Sequence, residues 1–188
     1  MTSESRAGRP RVSSRETLAE AACELFLERG YEATTVADIT TRAGVSRSSF
    51  FNYFTSKSAV LWSGLDERIA LLEGGLDDAA GAAAVEVAVA ELARDFAPDA
   101  LALAIVNDAA MGVADELARE AALRSARIAR AVSTALVRGG ADQLEADVRA
   151  AAWGGAVLAA VAAWARDGAG RSELASTVAR AARIARDA

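Results

Sequence analysis

The sequence predicts an all-α protein of about nine helices. Alanine, leucine, arginine and glutamate dominate, and all favour helix. Only Pro10 and Pro98 interrupt the chain. No run of alternating Val, Ile, Thr or Tyr reads as a strand. With 188 residues, 53% of them apolar, there is material for a substantial core, in one large domain or a small one joined to a larger.

The elements follow in order. Residues 1–12 are small, polar and basic, and read as a disordered arm. Ser13 and Glu16 have capping-box spacing and open a first helix, with Leu18, Ala22, Leu25 and Phe26 on one face and Gly30 as its stop. Thr35 and Asp38 cap a second helix that Gly44 ends. Ser46 caps a third over about 47–53, and Ser56 caps a fourth over about 57–78, aligned by Leu61, Leu65, Ile69 and Leu72. Gly74-Gly75 and the following "DDAAGAA" mark a break. Further helices are expected over about 82–96, from Asp99 to about Gly112, from Asp115 to about Arg138, over about 144–167, and after Ser172 to the end.

Composition removes several kinds of chemistry. The chain has no histidine, so Ser-His-Asp and Cys-His catalysis and histidine metal sites are excluded. No phosphate-binding glycine loop or helical Glu pair at metal spacing is present, so no enzyme, no metal and no cofactor is expected. Cys23, alone on an apolar face, reads as a small buried hydrophobe, in keeping with a reducing, cytoplasmic setting. The longest apolar run, Ala150–Ala165, is Ala/Gly-rich and short for a membrane span, so it reads as a buried helix with no membrane partner. Residues 1–60 carry eight Arg or Lys against seven Asp or Glu, and residues 61–188 thirteen against nineteen. A basic tip on an acidic body suggests an anion-binding end.

The informative stretch is "TVADITTRAGVSRSSFFNYF", followed by Lys57, the only lysine. Two helices joined by a tight turn at Gly44-Val45 form a helix-turn-helix candidate. Phe50 and Phe54, four apart, share a face and should pin the third helix to the core. Arg47, Ser48, Ser49 and Asn52 are then left outward. Such a face suits the DNA major groove, where Arg pairs with guanine, Asn with adenine and Ser with either. Thr35 and Ser46 stand at helix starts, which attract phosphates, and Tyr53 and Lys57 offer a hydroxyl and a point charge to phosphate oxygens. "RAGRPR", Arg6 to Arg11, is an arm that can reach the minor groove or simply solubilise the tip.

"LFLERGYEATTVADITTRAGVSRSSFFNYFTSKSAVL" resembles the N-terminal DNA-binding domain of TetR-family transcriptional regulators, over about residues 13–62. The resemblance implies phosphate contacts at Thr35, Tyr53 and Lys57, and an exposed reading face of Arg47, Ser48, Ser49 and Asn52. Two positions depart from the family pattern: Phe51 stands where Tyr is frequent, and Thr40 where Ala is usual. The implied organisation is a helix-turn-helix domain over 13–56 and a helical ligand-binding and dimerisation domain over 57–188. The implied partners are a pseudo-palindromic double-stranded DNA operator, a second copy of the chain bound through the last two helices at about 144–187, and a small inducer. The long helix of that pair carries Trp153, Gly154, Gly155, Val157, Leu158 and Val161, whose small surface would admit a partner helix.

An apolar or amphipathic inducer is expected among Trp62, Leu65, Ile69, Phe96, Leu103, Val106, Asn107, Met111, Leu123 and Trp164. The C-terminal half resembles members that bind fatty acyl-coenzyme A. Arg119, Arg124, Arg127 and Arg130 form either an anion site or a solvated face. The function implied is a ligand-responsive repressor. The alternative is a helical interaction module that no longer binds DNA.

Overall fold

The computed structural model describes residues 14–187. Within them lie ten helices and no strand: α1 (Ser14–Arg29), α2 (Val36–Ala43), α3 (Arg47–Tyr53), α4 (Ala59–Asp77), α5 (Gly81–Ala93), α6 (Ala100–Val106), α7 (Asp108–Met111), α8 (Ala114–Arg138), α9 (Gln143–Arg166) and α10 (Leu174–Arg186). The basic arm and the Ser13 cap lie outside the described residues.

The first three helices make a small head. α1 buries Leu18, Ala22, Leu25 and Phe26. Gly30 stops it at φ +85°, and Tyr31 folds back so that its ring meets Phe26 edge-on at 5.1 Å. α2 lies across α1 and sends in Ile39 and Thr40. Thr40, larger than the usual Ala, fits because its hydroxyl donates to the Ala37 carbonyl at 3.1 Å. Gly44 takes φ +66°, the left-handed turn expected of it, and Val45 packs beneath. Phe50 and Phe54 are buried, their ring centroids 5.4 Å apart.

The remaining helices form a bundle. α9 is its axis, packed most extensively by α8 and α10 and also by α6. It is long and apolar enough to cross a bilayer by composition, but Trp153, Val157, Val161 and Trp164 are buried against the other helices. α4 links head and bundle, with Leu61, Leu65, Ile69, Leu72 and Leu76 in the core.

Several boundaries differ from the sequence reading. α4 begins at Ala59, whose N–H donates to Ser56 Oγ at 3.1 Å, and it runs through Gly74-Gly75 before breaking at Asp78. The helix expected from Asp99 to Gly112 is two helices, parted at Asn107, and that split makes the count ten. α8 starts one residue before Asp115, so that aspartate sits in the first turn and is not the cap. Asp142 caps α9, accepting from the N–H groups of Leu144 and Glu145.

Gly154 is where α8 and α9 touch. A Cβ there would lie 2.4 Å from the Ser125 backbone oxygen, so only glycine lets the helices approach this closely. Gly75, in the last turn of α4, has open space around it. Gly154→Ala is expected to destabilise the fold by about 1–3 kcal/mol, and Gly75→Ala to leave it unchanged or raise it by up to about 1 kcal/mol. Thermal unfolding of the two variants beside the parent checks both directions.

Candidate nucleic-acid interface

The exposed side of the head is built from two helix starts and one helix face. At the start of α2, Thr35 Oγ1 accepts from Asp38 N at 3.2 Å, and Asp38 Oδ2 accepts from Thr35 N at 2.9 Å and from Thr35 Oγ1 at 2.6 Å. The hydroxyl of Thr35 beside Asp38 holds its carboxyl below the usual range. The helix end expected to attract phosphate therefore already holds a carboxylate of its own. At the start of α3, Ser46 Oγ accepts from Ser49 N at 3.1 Å, and the Ser48 and Ser49 hydroxyls each lie 2.8 Å from it.

The face of α3 follows from the anchoring of Phe50 and Phe54. Arg47, Ser48, Phe51 and Asn52 lie exposed on the other side, and Tyr53 is exposed at the end. Phe51 is 50% exposed and lies under the Arg47 guanidinium at 5.8 Å, one helical turn away. Arg42, on α2, is turned away from this face and bonds Glu24 at 3.0 Å and Glu28 at 2.7 Å on α1.

Lys57 has a role the sequence reading missed. Its Nζ donates to the Tyr31 carbonyl at 2.5 Å and the Thr34 carbonyl at 3.0 Å, and lies 3.9 Å over the Tyr31 ring. Burial lowers its pKa. Two of its three protons are thus spent inside the protein. Tyr31 also donates its backbone N–H to the Met111 carbonyl at 2.7 Å and its hydroxyl to Glu116 at 3.3 Å. Burial pushes its phenol up to about 12. This loop joins the head to the α7–α8 corner.

The expected ligand residues scatter. Trp62 lines a cavity of about 190 Å³ between α4, α6, α8 and α9, walled by Ile105, Leu117, Leu158 and Val161, with Asp108 and Arg166 also on its lining. Leu65, Ile69 and Met111 are fully buried in the core and do not line it. Trp164 and Phe96 pack on each other at 5.8 Å, and the Trp164 indole donates to the Ser172 carbonyl at 2.8 Å. Leu103 faces a separate groove beside Cys23, whose burial pushes its thiol up to about 11. Asn107 bonds back to the Leu103 carbonyl at 2.8 Å, and Val106 and Leu123 point outward, Leu123 at 61% exposed. Of the ten, Trp62 alone lines the cavity between α4, α6, α8 and α9.

The arginine series divides: Arg119 and Arg130 are exposed, as a solvated face requires, while Arg124 and Arg127 are taken into ion pairs. Arg124 makes a two-pronged contact with Asp66 at 2.9 and 2.6 Å and also pairs with Glu120. Arg127 does the same with Glu73 at 2.6 and 2.5 Å. Both tie α8 to α4. Arg119 pairs with Glu116 on its own helix.

A three-helix head with a buried aromatic anchor and an outward polar third helix, carried on a helical bundle, is a helix-turn-helix architecture. The head matches the model of the bacterial regulatory proteins, tetR family, over residues 18–61. MftR of Mycobacterium tuberculosis, named as a mycofactocin biosynthesis transcriptional regulator, is 37% identical over 78 residues, 42% of this chain and 39% of its own. The repressor DhaR of a Mycobacterium species is 47% identical over 49 residues, 26% of this chain and 25% of its own. The chain thus spans well under half the length of these relatives. Two solved structures share the whole fold. They are the dihydroxyacetone kinase operon activator DhaS (TM-score 0.52, 16% identity, covering 93% of this chain and 94% of that one) and the repressor AlkX of a Dietzia species (TM-score 0.51, 17% identity, covering 95% and 97%).

Removing the Lys57 ammonium exposes the two carbonyls it bonds. Lys57→Ala is expected to destabilise the fold by about 1–3 kcal/mol, before any DNA is present. Urea unfolding measures this, and a variant as stable as the parent would remove the fastening role.

Proposed function

We propose that the chain is a ligand-responsive, dimeric transcriptional regulator of the cytoplasm. In this reading it represses by occupying a pseudo-palindromic DNA operator through α3, and a small apolar or amphipathic inducer releases it. The observation that carries the reading is the α3 face: Arg47, Ser48 and Asn52 exposed together on a helix whose other side is locked by Phe50 and Phe54. Arg47 suits guanine acceptors and Asn52 adenine, while exposed Phe51 suits a thymine methyl. Ser46, Ser49, Tyr53, Thr35 and the third proton of Lys57 ring this face as phosphate contacts.

Dimerisation is assigned to α9 and α10. Trp153, Gly154, Val157 and Val161 are taken up within the subunit, against the expectation that they would meet a partner. What is left for a second copy is Leu144, at 74% exposed, with Val148, Ala151 and Gly155 on α9, and Ile184, at 70% exposed, on α10. A Cβ on Gly155 would meet nothing within the subunit.

The cavity at Trp62 is the inducer site in this reading. Its lining includes Ile105, Asp108, Ala114 and Leu117, which flank the corner where the Met111 carbonyl receives the Tyr31 N–H. A ligand there bears on the attachment of the head, and shifts the DNA-binding equilibrium only by its differential affinity for the two states.

The second reading, an interaction module without DNA binding, draws on Phe51, an apolar ring on the reading face.

Fluorescence anisotropy with DNA from just upstream of the chain's own gene, at two salt concentrations, separates the two. Selective binding that falls steeply with salt is expected. Arg47→Ala is expected to lose about tenfold to a hundredfold in affinity for that DNA and little for unrelated DNA. Salt-independent or absent binding there, and after selection from random DNA, would favour the second reading. Gly155→Arg is expected to convert a dimer to a folded monomer in sedimentation analysis. An unchanged dimer would move the interface elsewhere.

A further inference from the structure

We propose that the cleft between α5, α9 and α10 binds a small monocarboxylate carrying a single ring, and that the Arg183 guanidinium holds the carboxylate. This goes beyond the reading of the Trp62 cavity, with which the cleft shares no lining residue.

The cleft encloses about 220 Å³. Val89, Trp153 and Val178 line it and are all buried, so they form its floor. Ala175, Ala179 and Ala182 of α10 also line it, and their small side chains leave the space open. A cavity of ~150 Å³ holds benzene in an apolar protein interior, so one ring fits here with room for a short arm.

Charge sets the rest of the ligand. The charged residues on the lining are Glu86, Arg183 and Arg186. Arg186 Nη1 lies 3.2 Å from Glu86 Oε1, so this pair bridges α10 and α5 and each of its charges is met. Arg183 stands three residues earlier on the same face of α10, and its guanidinium makes no ion pair or hydrogen bond among the described residues. The contrast within the molecule is direct: Arg124 and Arg127 are each fixed by a carboxylate of α4. The charge left over at the cleft is therefore positive, which favours an anion and disfavours a cation. A guanidinium meets a carboxylate with two parallel hydrogen bonds, and an apolar wall beside the pair screens it less than open water does. Ile184, the exposed α10 residue assigned to a second copy, stands on the opposite side of the helix, so the cleft faces away from that contact.

The probes 3-phenylpropanoate and 3-phenylpropanamide share a skeleton and differ in charge. Titration calorimetry measures their binding to the full chain and to three variants at exposed positions of α10. Arg183→Gln removes the free charge, Ala179→Leu fills the cleft, and Arg180→Gln removes a charge that does not line it. The carboxylate is expected to bind about tenfold more tightly than the amide, in the parent and in Arg180→Gln alike. In Arg183→Gln the preference should fall to within about threefold, and Ala179→Leu should weaken both probes by about tenfold or more. No binding of either probe at millimolar concentration overturns the site, and is the result that a cleft covered by a second copy would give. Equal binding of the two probes, or a preference unchanged in Arg183→Gln, overturns the role of Arg183. Binding unchanged in Ala179→Leu puts the probe elsewhere and overturns the proposal. None of these readouts depends on operator binding or on the Trp62 cavity.

Discussion

Lys57 fastens the head to the bundle, and the placement of α3 depends on it. A short helix has no orientation of its own. α3 is held by Phe50 and Phe54 against α1 and α2, and the α1–α2 corner is held to the segment leading into α4 by one ammonium group bonding the carbonyls of Tyr31 and Thr34. The Tyr31 ring lies against that ammonium, so the contact combines hydrogen bonding, cation–π attraction and partial burial. The same tyrosine hooks the Met111 carbonyl and Glu116. One residue on the head therefore meets both the segment leading into α4 and the α7–α8 corner.

That arrangement gives the bundle a mechanical connection to the head. Arg124–Asp66 and Arg127–Glu73 join α8 to α4 along their length. Trp62 lies between the Arg124 network and the cavity, and the other side of the cavity is made by α6, α8 and α9. A change in the cavity has two short routes to the head, through α4 and through Met111 to Tyr31. Both routes run through packed or hydrogen-bonded groups with little slack.

The head was readable in the sequence because its constraints are local. Capping at Thr35 and Ser46, the left-handed turn at Gly44 and the four-residue spacing of Phe50 and Phe54 each involve residues within a few positions of one another. The fastening role of Lys57 was not legible because its partners are backbone carbonyls 23 and 26 residues away. In the bundle the helices were legible and their rotations were not. The apolar surface of a helix rich in alanine is nearly continuous, so periodicity does not choose a side. Leu65, Ile69 and Met111 were taken for pocket lining and are core, while Leu123 looked internal and is exposed. Arg124 and Arg127 looked like a free row of charge because Asp66 and Glu73 lie more than fifty residues away.

The reading of α3 as the part that recognises DNA is tested most directly by selection from a pool of random double-stranded DNA. It should be run in parallel with the parent chain and with Asn52→Ala. The expected result is an inverted repeat whose half-sites are spaced for a two-fold symmetric dimer, with one position in each half-site losing its base preference in Asn52→Ala. Failure of the parent to enrich any sequence, or an identical motif from both proteins, would contradict it.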